Sequence, residues 1–405
     1  LGIVLILGVS FLMSNNRKAI NYRTVGVGLL IQVGLAVFIL KTEVGQATFQ
    51  WLGDSINTLL GQADKGAQFV FGSLVDRKLM SQAFGAGNDY IFFFKVVPTI
   101  IFVAVLVNMF YHLGVLQRVV STMGKGVHWL MGVSGAEALS NVASTFVGQV
   151  EAQIMIKPYL KNMTNSELMA SMTGSFACIA GGVMAVYISL GVPAAYLLAA
   201  SLMAAPGALV ISKIMFPETE KSETEGEVKL ELSKTHANLV DAIAAGASEG
   251  LKVGLNVIAM LIGFIALIAL VDLGLGHIGA WVNYPELSMN TILGKVFSVF
   301  AFAMGVPAQD IEVAGALMGK KMVVNEFVAY LDMVHLKATL DPKTIAITSF
   351  ALCGFANFSS VAIQIGGIGE LAPSRRSDLA KLGFKALIAG TLASYLSATL
   401  AGLLL

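Results

Sequence analysis

Charge is what this sequence lacks most. Asp, Glu, Lys and Arg make up 13% of its 405 residues, against roughly 25% in soluble domains. A chain of this length could bury a soluble core, but it could not cover the resulting surface with so few charges. Because 56% of the residues are hydrophobic, lipid must form part of the solvent around the protein. The net charge of +1 indicates no nucleic-acid partner.

Cysteine is also scarce, and the motifs of enzymes are missing. Cys178 and Cys353 are the only cysteines, and each lies in an apolar stretch, which excludes a disulfide framework. The five histidines show no metal-ligand spacing, and the sequence has no phosphate-binding loop or serine-nucleophile motif. We therefore predict a protein that is not an enzyme and needs no cofactor.

Long apolar stretches predict eight membrane spans, each of which needs about 20 residues. The first is short and begins with Leu, so we expect a few residues to precede it, without a cleavable signal peptide. Basic residues cluster in four loops that eight alternating spans place on one side, which should be the bacterial cytoplasm. Both termini would then lie outside the inner membrane. The predicted spans are residues 1–13, 24–40, 90–111, 168–192, 193–216, 251–271, 344–366 and 379–405.

Two further stretches, 135–160 and 305–331, are too polar for simple spans and too apolar for exposed loops, and this predicts re-entrant helical hairpins. Residues 54–84 and 237–250 look like amphipathic helices at the membrane interface. A polar linker, 217–236, separates the two halves of the chain. A Thr and a Glu three residues apart, Thr164 and Glu167, predict a capping box that opens the fourth span.

The two halves repeat each other. Glu151 is followed by a Ser-Phe-Ala triplet that begins at Ser175, and Glu326 is followed by the same triplet, beginning at Ser349. An odd number of spans separates the glutamates, so the two hairpins should enter from opposite faces, as in transporters with inverted repeats. We predict an all-α membrane protein with a scaffold (1–133), a first transport repeat (134–216), a linker with span six that belongs to the scaffold (217–304) and a second transport repeat (305–405).

Polar residues at membrane depth are the candidate site, because such residues are costly there and usually functional. Gln149 and Glu151 can face one ligand only if the backbone between them is unwound, which Gly148 would permit. The alternative is that Glu151 caps a helix or pairs with Lys157. Glu326 has its own alternative, an ion pair with Lys320 or Lys321.

The seventh span contains a second polar cluster. Asn357 and Ser360 are three residues apart and can face one cavity if helix persists there. The alternative is that both make ordinary hydrogen bonds between helices.

These residues lie in motifs that resemble the concentrative nucleoside transporter family over essentially the whole chain. The motifs are Phe146-Val147-Gly148-Gln149-x-Glu151-Ala152, Asn325 to Leu331 (NEFVAYL), Cys353 to Ser360 (CGFANFSS) and Ala372-Pro373-Ser374-Arg375-Arg376. The resemblance implies a homotrimer of eight-span protomers with two re-entrant hairpins. A transport domain would carry the nucleoside across in an elevator-like movement against a fixed scaffold.

The resemblance also implies roles for individual residues. Gln149 and Glu151, with Val150 between them, would contact the nucleobase. Glu326, Asn357 and Ser360 would hydrogen-bond the ribose, for which a carboxylate is a suitable acceptor. Phe355 would line the pocket.

The sequence departs from the family at the expected sodium site. Ser144 replaces an Asn on the first hairpin, and Cys178 replaces a Ser in the next span, although the carbonyls of Val147 and Ile179 could remain. Because sodium prefers hard oxygen ligands and a thiol is a poor substitute, we favour a proton as the coupling cation, carried by Glu151 or Glu326. Sodium is the alternative.

Two other departures concern the nucleobase. Val150 stands where the family usually has Thr, and Gln153 stands where it usually has Pro. We expect an altered base preference, towards purine nucleosides.

A passive channel is a further interpretation of the polar residues at membrane depth, but the inverted repeat argues against it.

Overall fold

The computed structural model describes residues 1–85, 91–224, 236–281 and 283–405, and over these residues it is built from helices without strands. This confirms the prediction of an all-α protein. The helices are α1 (Gly2–Leu12), α2 (Tyr22–Lys41), α3 (Glu43–Phe71), α4 (Arg77–Phe84), α5 (Phe92–His112), α6 (Val115–Met131), α7 (Gly135–Ala143), α8 (Glu151–Ile154), α9 (Lys157–Leu160), α10 (Asn165–Ala177), α11 (Gly181–Leu190), α12 (Ala194–Met215), α13 (Leu239–Trp281), α14 (Met289–Met304), α15 (Ile311–Val323), α16 (Glu326–Leu336), α17 (Pro342–Leu352), α18 (Phe358–Leu371) and α19 (Arg376–Leu404).

Within the described residues, six helical segments are long and apolar enough to cross a membrane. They are α2, α5, the α10–α11 pair, α12, α13 and α19, while α1 and α14 are shorter apolar helices. The predicted third span began at residue 90, which lies outside the described residues; the helix there is described from Phe92. The capping box that opens α10 is present: Thr164 Oγ1 accepts from the Glu167 amide, and Glu167 accepts from the Thr164 amide.

The predicted separate interfacial helix at 237–250 is wrong. α13 runs without interruption for 43 residues, so this stretch and the predicted sixth span form one helix. Three of its glycines, Gly246, Gly250 and Gly254, do not break the helix; they lie four residues apart on one face and let α5 approach closely. A Cβ on Gly250 would lie 2.6 Å from the Ile101 Cα, and Gly246 and Gly254 meet α5 in the same way.

The amphipathic stretch predicted at 54–84 also differs in its bounds. Its helix, α3, begins eleven residues earlier at Glu43, and the chain turns at Gly72, whose φ is +59°. The helix α14 was not predicted as a separate element; it lies within the predicted segment 217–304. It packs along α15. A Cβ on Gly315 would lie 2.6 Å from the Gly294 carbonyl oxygen.

The core surrounds α19, which packs against α10, α12 and α17. In the apolar membrane-spanning stretch of α19, 83% is buried, against 6% in the corresponding stretch of α13. α13 therefore lies at the outside of this chain, beside α5, where it meets lipid or another protein. The inner helices are those that carry the polar residues of the candidate site.

Two helices are broken in the core, at equivalent places in the two repeats. α10 and α11 are separated by residues 178–180, and α17 and α18 by residues 353–357. The two breaks meet: Gly354, with φ +141°, sits against the last carbonyls of α10, so that a Cβ there would lie 2.7 Å from the Phe176 oxygen. This contact holds the non-helical backbone of both repeats together inside the protein, where neighbouring groups can satisfy it.

Candidate functional site

The tip of the second hairpin places a buried carboxylate at the start of α16. Asn325 caps that helix by accepting a 2.9 Å hydrogen bond from the Val328 amide. Glu326 follows it, is 5% exposed, and accepts from the Tyr187 hydroxyl at 3.0 Å and from the Asn357 Nδ2 at 3.0 Å. Three elements, α11, α16 and the start of α18, therefore converge on one carboxylate.

Asn357 serves two purposes at the start of α18. Its Oδ1 caps the helix by accepting from the Ser360 amide at 2.8 Å, and it also accepts from the Ser359 hydroxyl at 2.7 Å. Its Nδ2 remains free to donate to Glu326. The break before α18 is what allows this, because an Asn inside a continuous helix has no helix end to cap.

The tip of the first hairpin approaches the same helix. Gln149 Nε2 donates to the Ser360 hydroxyl at 3.3 Å, and its Oε1 accepts from Gln364 Nε2 at 3.3 Å. The backbone before α8 is not helical, as predicted from Gly148, and a Cβ on that glycine would lie 2.1 Å from the Glu151 Oε2. The Gln149 side chain and the Glu326 cluster thus meet across the first turn of α18.

Glu151 differs from Glu326 in its surroundings. It is exposed, and none of the residues that the structure describes makes a hydrogen bond or ion pair with its carboxylate. The alternative pairing with Lys157 is therefore wrong. The alternative of an ion pair between Glu326 and Lys320 or Lys321 is wrong as well. Lys320 pairs with Asp332, and Lys321 bonds to a carbonyl and a hydroxyl.

The candidate coupling-cation residues lie where the first hairpin touches the break after α10. The Ser144 hydroxyl donates to the Ser140 carbonyl at 2.8 Å and is 3.1 Å from the Ser175 hydroxyl. Val147 is buried on the hairpin, and Cys178 and Ile179 are fully buried at the break.

The backbone joins these two elements as well. The Gly181 amide donates to the Phe146 carbonyl at 3.0 Å. The structure therefore brings together the hairpin and the break on which the four candidate residues lie.

Gln153 lies behind the hairpin. It is fully buried, its Nε2 donates to the Ser175 hydroxyl at 2.9 Å, and its Oε1 accepts from the Ser171 hydroxyl at 2.6 Å. Ser175 in turn donates to the Gln149 carbonyl at 3.3 Å. The carboxamide that we expected beside the nucleobase therefore holds the hairpin against α10 instead.

The remaining predicted residues line the same region. Phe355 is half-buried in the break between α17 and α18. Val150 packs against α18, where a Cβ on Gly367 would lie 2.6 Å from its side chain. Sequence reasoning missed Tyr187 and Gln364; the available signal was a hydrogen-bonding side chain in a stretch otherwise apolar, which needs a buried partner.

A buried carboxylate surrounded by carboxamides and hydroxyls, where two hairpins meet two broken helices, defines a class of protein. Such a site suits a small polar solute, and the arrangement is typical of secondary transporters.

The comparisons with known proteins agree with this class. The family model described as "Na+ dependent nucleoside transporter C-terminus" matches residues 196–402, its N-terminus counterpart matches 1–74, and "Nucleoside recognition" matches 93–194. The nucleoside permease NupC of Helicobacter pylori is 38% identical over 99% of this chain and 96% of its own length. The uncharacterized transporter YutK of Bacillus subtilis is 44% identical over 100% and 98%.

A solved structure of CNTnw, inward-facing and substrate-bound, superimposes with a TM-score of 0.94 at 40% identity, and covers 100% of this chain and 96% of that one. A variant of CNTnw in an outward-facing state gives a TM-score of 0.95 at 41% identity with the same coverage. The chain belongs to the concentrative nucleoside transporter family, which confirms the resemblance seen in its motifs. It is a multi-pass membrane transporter rather than an enzyme.

Proposed function

We propose that this protein imports nucleosides across the bacterial inner membrane by symport with a cation. The observation that supports it most is the position of Glu326, whose two oxygens face Tyr187 and Asn357 at the meeting point of the repeats. A carboxylate held between a phenol and a carboxamide can also accept from ribose hydroxyls, because its two oxygens offer about four acceptor sites and these two donors use two of them.

The nucleoside would lie between the two hairpin tips. Glu326, Asn357 and Ser360 would bind the ribose, and Gln149 would turn its carboxamide to the edge of the base. Glu151, which has no other partner among the described residues, would accept from a base amino group. Phe355 and Val150 would line the pocket, and with Val in place of a hydroxyl-bearing residue we keep a preference for purine nucleosides as the proposal.

We propose a proton as the coupling cation, with sodium as the alternative. The candidate sodium site offers a thiol, Cys178, which suits sodium poorly. The hydroxyl of Ser144 is already engaged with Ser140 and Ser175. Glu151 or Glu326 would then carry the proton.

The movement would be of the elevator type. Solved structures of CNTnw in inward-facing, intermediate and outward-facing states show that a relative of the same fold alternates between conformations. We propose that segments 134–216 and 305–405 move against a scaffold of 1–133 and 217–304. The family resemblance supports a homotrimer, and the exposed apolar face of α13 is a surface that subunit contacts could cover.

Uptake into proteoliposomes tests the proposal. With radiolabelled adenosine, sodium absent and an imposed pH gradient, we expect accumulation against the gradient that a protonophore abolishes. Accumulation only after sodium is added would contradict proton coupling but keep the symporter. Equilibration without accumulation under either a pH or a sodium gradient would indicate a channel. If uridine displaces adenosine better than guanosine does, the purine preference is wrong.

A further inference from the structure

Lys321 on α15 is fully buried and has no carboxylate partner among the residues that the structure describes. Its Nζ donates to the Ala351 carbonyl at 2.8 Å and reaches the Ser394 hydroxyl at 3.4 Å. Burial against neutral acceptors is costly for an ammonium group, because the group loses its hydration. A lysine kept in such a place therefore needs an interaction that offsets this cost.

The reason lies in the end of α17. Ala351 belongs to the last turn of that helix, just before the break at Cys353. The last carbonyls of a helix lack intrahelical partners and carry the negative end of its dipole. Lys321 bonds the Ala351 carbonyl directly, and the Ser394 hydroxyl donates to the Cys353 carbonyl, two residues further along, at 3.0 Å. The ammonium thus neutralises a broken helix end in the core.

The internal repeat gives this position a counterpart. The offset of 175 residues that relates Glu151 to Glu326 also relates Phe146 to Lys321. The triplet offset of 174 relates Ala177, the last residue of α10, to Ala351. By this offset the first repeat has an apolar residue, Phe146, at the sequence position that Lys321 takes in the second.

The break after α10 holds the candidate coupling-cation residues Cys178 and Ile179 on one side and Val147 on the other. Its carbonyl end carries the same negative dipole as that of α17. Among the residues that the structure describes, the end of α17 has a cationic side chain bonded to it and the end of α10 has none.

We propose that Lys321 is a tethered cation, which neutralises in the second repeat the helix end whose counterpart in the first repeat carries the candidate sodium residues. This rests on the proposed cation symport in its alternative form, with sodium as the coupling cation. It follows that the end of α17 binds no exchangeable metal cation, whereas Glu326 stays free to carry a proton. It also follows that Lys321 is a positioning residue: it fixes the end of α17, the helix whose Ser349 carbonyl accepts a hydrogen bond from Tyr330 of α16, the helix that begins with Glu326.

The test uses the purified full-length protein and small monovalent cations as probes. Lys321→Ala should lower nucleoside affinity by at least about tenfold, because it leaves the buried Ala351 carbonyl without this donor and so releases the end of α17. Methylammonium or sodium at millimolar concentration should restore affinity and raise the melting temperature of Lys321→Ala without nucleoside present. Lys321→Met fills the space without charge and should respond to neither cation, and Lys381→Ala, at an exposed lysine of α19, should behave as the unaltered protein.

The outcomes separate the two proposals. Nucleoside affinity that is unchanged in Lys321→Ala, or lost affinity that no cation restores in a protein that still melts cooperatively, would overturn the tethered cation. If Lys321→Ala does not fold, Lys321→Arg and Lys321→Gln decide, because only the arginine should retain binding. If the unaltered protein transports no nucleoside, the proposed function fails, while the melting-temperature response to methylammonium still tests Lys321.

Discussion

At the scale of single residues, the site depends on one carboxylate with two neutral donors. Glu326 is buried beside Tyr187 and Asn357, and Asn357 is itself fixed because its other end caps α18. The donors are therefore held in place before a ligand arrives. Such preorganisation lowers the cost of binding, since fewer side chains must be ordered.

Glu326→Gln tests this arrangement with a change that keeps the shape of the side chain. A carboxamide can accept through only one atom, so one of the two donors, or a ribose hydroxyl, loses its partner. Hydrogen bonds to charged groups contribute about 1.5–3 kcal/mol, and we expect nucleoside affinity to fall by roughly 10- to 100-fold. Titration calorimetry on the purified protein measures this. Glu370→Gln, at an exposed position of α18, is the control, and equal affinities in the two variants would remove Glu326 from the site.

The sequence predicted which polar residues meet, but not how each is held. Glu326, Asn357, Gln149 and Ser360 were selected because polar groups at membrane depth are costly, and the structure brings all four together. The same reasoning could have marked Tyr187 as a side chain that needs a buried partner, but it could not give Glu326 as that partner, because Tyr187 comes from α11 in the other half of the chain. Its contact with Glu326 depends on how the repeats pack, and no local pattern contains that information.

Gln153 is a residue that was expected near the base but does not lie at the hairpin tip. The family resemblance placed it near the base, as a residue that stands where the family usually has Pro, yet its carboxamide bonds to Ser175 and Ser171 of α10. A position two residues along a helix faces another direction. The residue is therefore part of the support of the hairpin and not of its tip.

At the scale of elements, the two broken helices depend on a glycine. Gly354 has a φ of +141°, a conformation that other residues rarely adopt, and it lies against the Phe176 and Ala177 carbonyls. A side chain there would be strained and would also push the two breaks apart. The close contact between the repeats is thus possible only because this position has no Cβ.

Gly354→Ala should therefore destabilise the protein and weaken transport together. Strained backbone of this kind costs on the order of 1–3 kcal/mol, to which the steric contact with α10 adds. Thermal unfolding and nucleoside uptake measure the two effects. Gly366→Ala is the matched control, because a Cβ there meets nothing within 4 Å and α18 is helical at that point. An alanine at 354 that leaves the melting temperature unchanged would contradict the role of this glycine.

The bounds of elements were harder to predict than their existence. Hydropathy identified α2, α5, α12 and α19, but it divided α13 in two because glycine and alanine lower the apolar signal. The packing of Gly246 and Gly250 against α5 is a tertiary contact, and it overrides the weak helix propensity of glycine.

At the scale of the whole molecule, long-range contacts fix which loops lie together. Arg375, before α19, bonds to the Lys161 and Met163 carbonyls, before α10. At the other end, Lys337, after α16, donates to the Gly191 carbonyl after α11 at 2.8 Å. Since α10 and α11 together run from one end to the other, these contacts assign the loops to opposite ends, in agreement with the hairpins entering from opposite faces.

Cysteine labelling tests which of these ends is cytoplasmic. Cys178 is fully buried and Cys353 is 2% exposed, so a membrane-impermeant maleimide should leave the unaltered protein unlabelled in right-side-out vesicles. Thr339→Cys, in the connection between α16 and α17, should react from outside. Lys18→Cys, between α1 and α2, should react only after the vesicles are permeabilised, because basic loops remain in the cytoplasm.

The two variants together also test the number of crossings. The reverse pattern, with Lys18→Cys labelled from outside, would invert the orientation and make the proposed direction of import wrong. Labelling of both from the same side would mean that the chain crosses the membrane an even number of times between Lys18 and Thr339, whereas we infer an odd number. An inverted repeat places its two hairpins on opposite faces, so that their tips, with Gln149 and Glu326, meet at the start of α18 between the two ends.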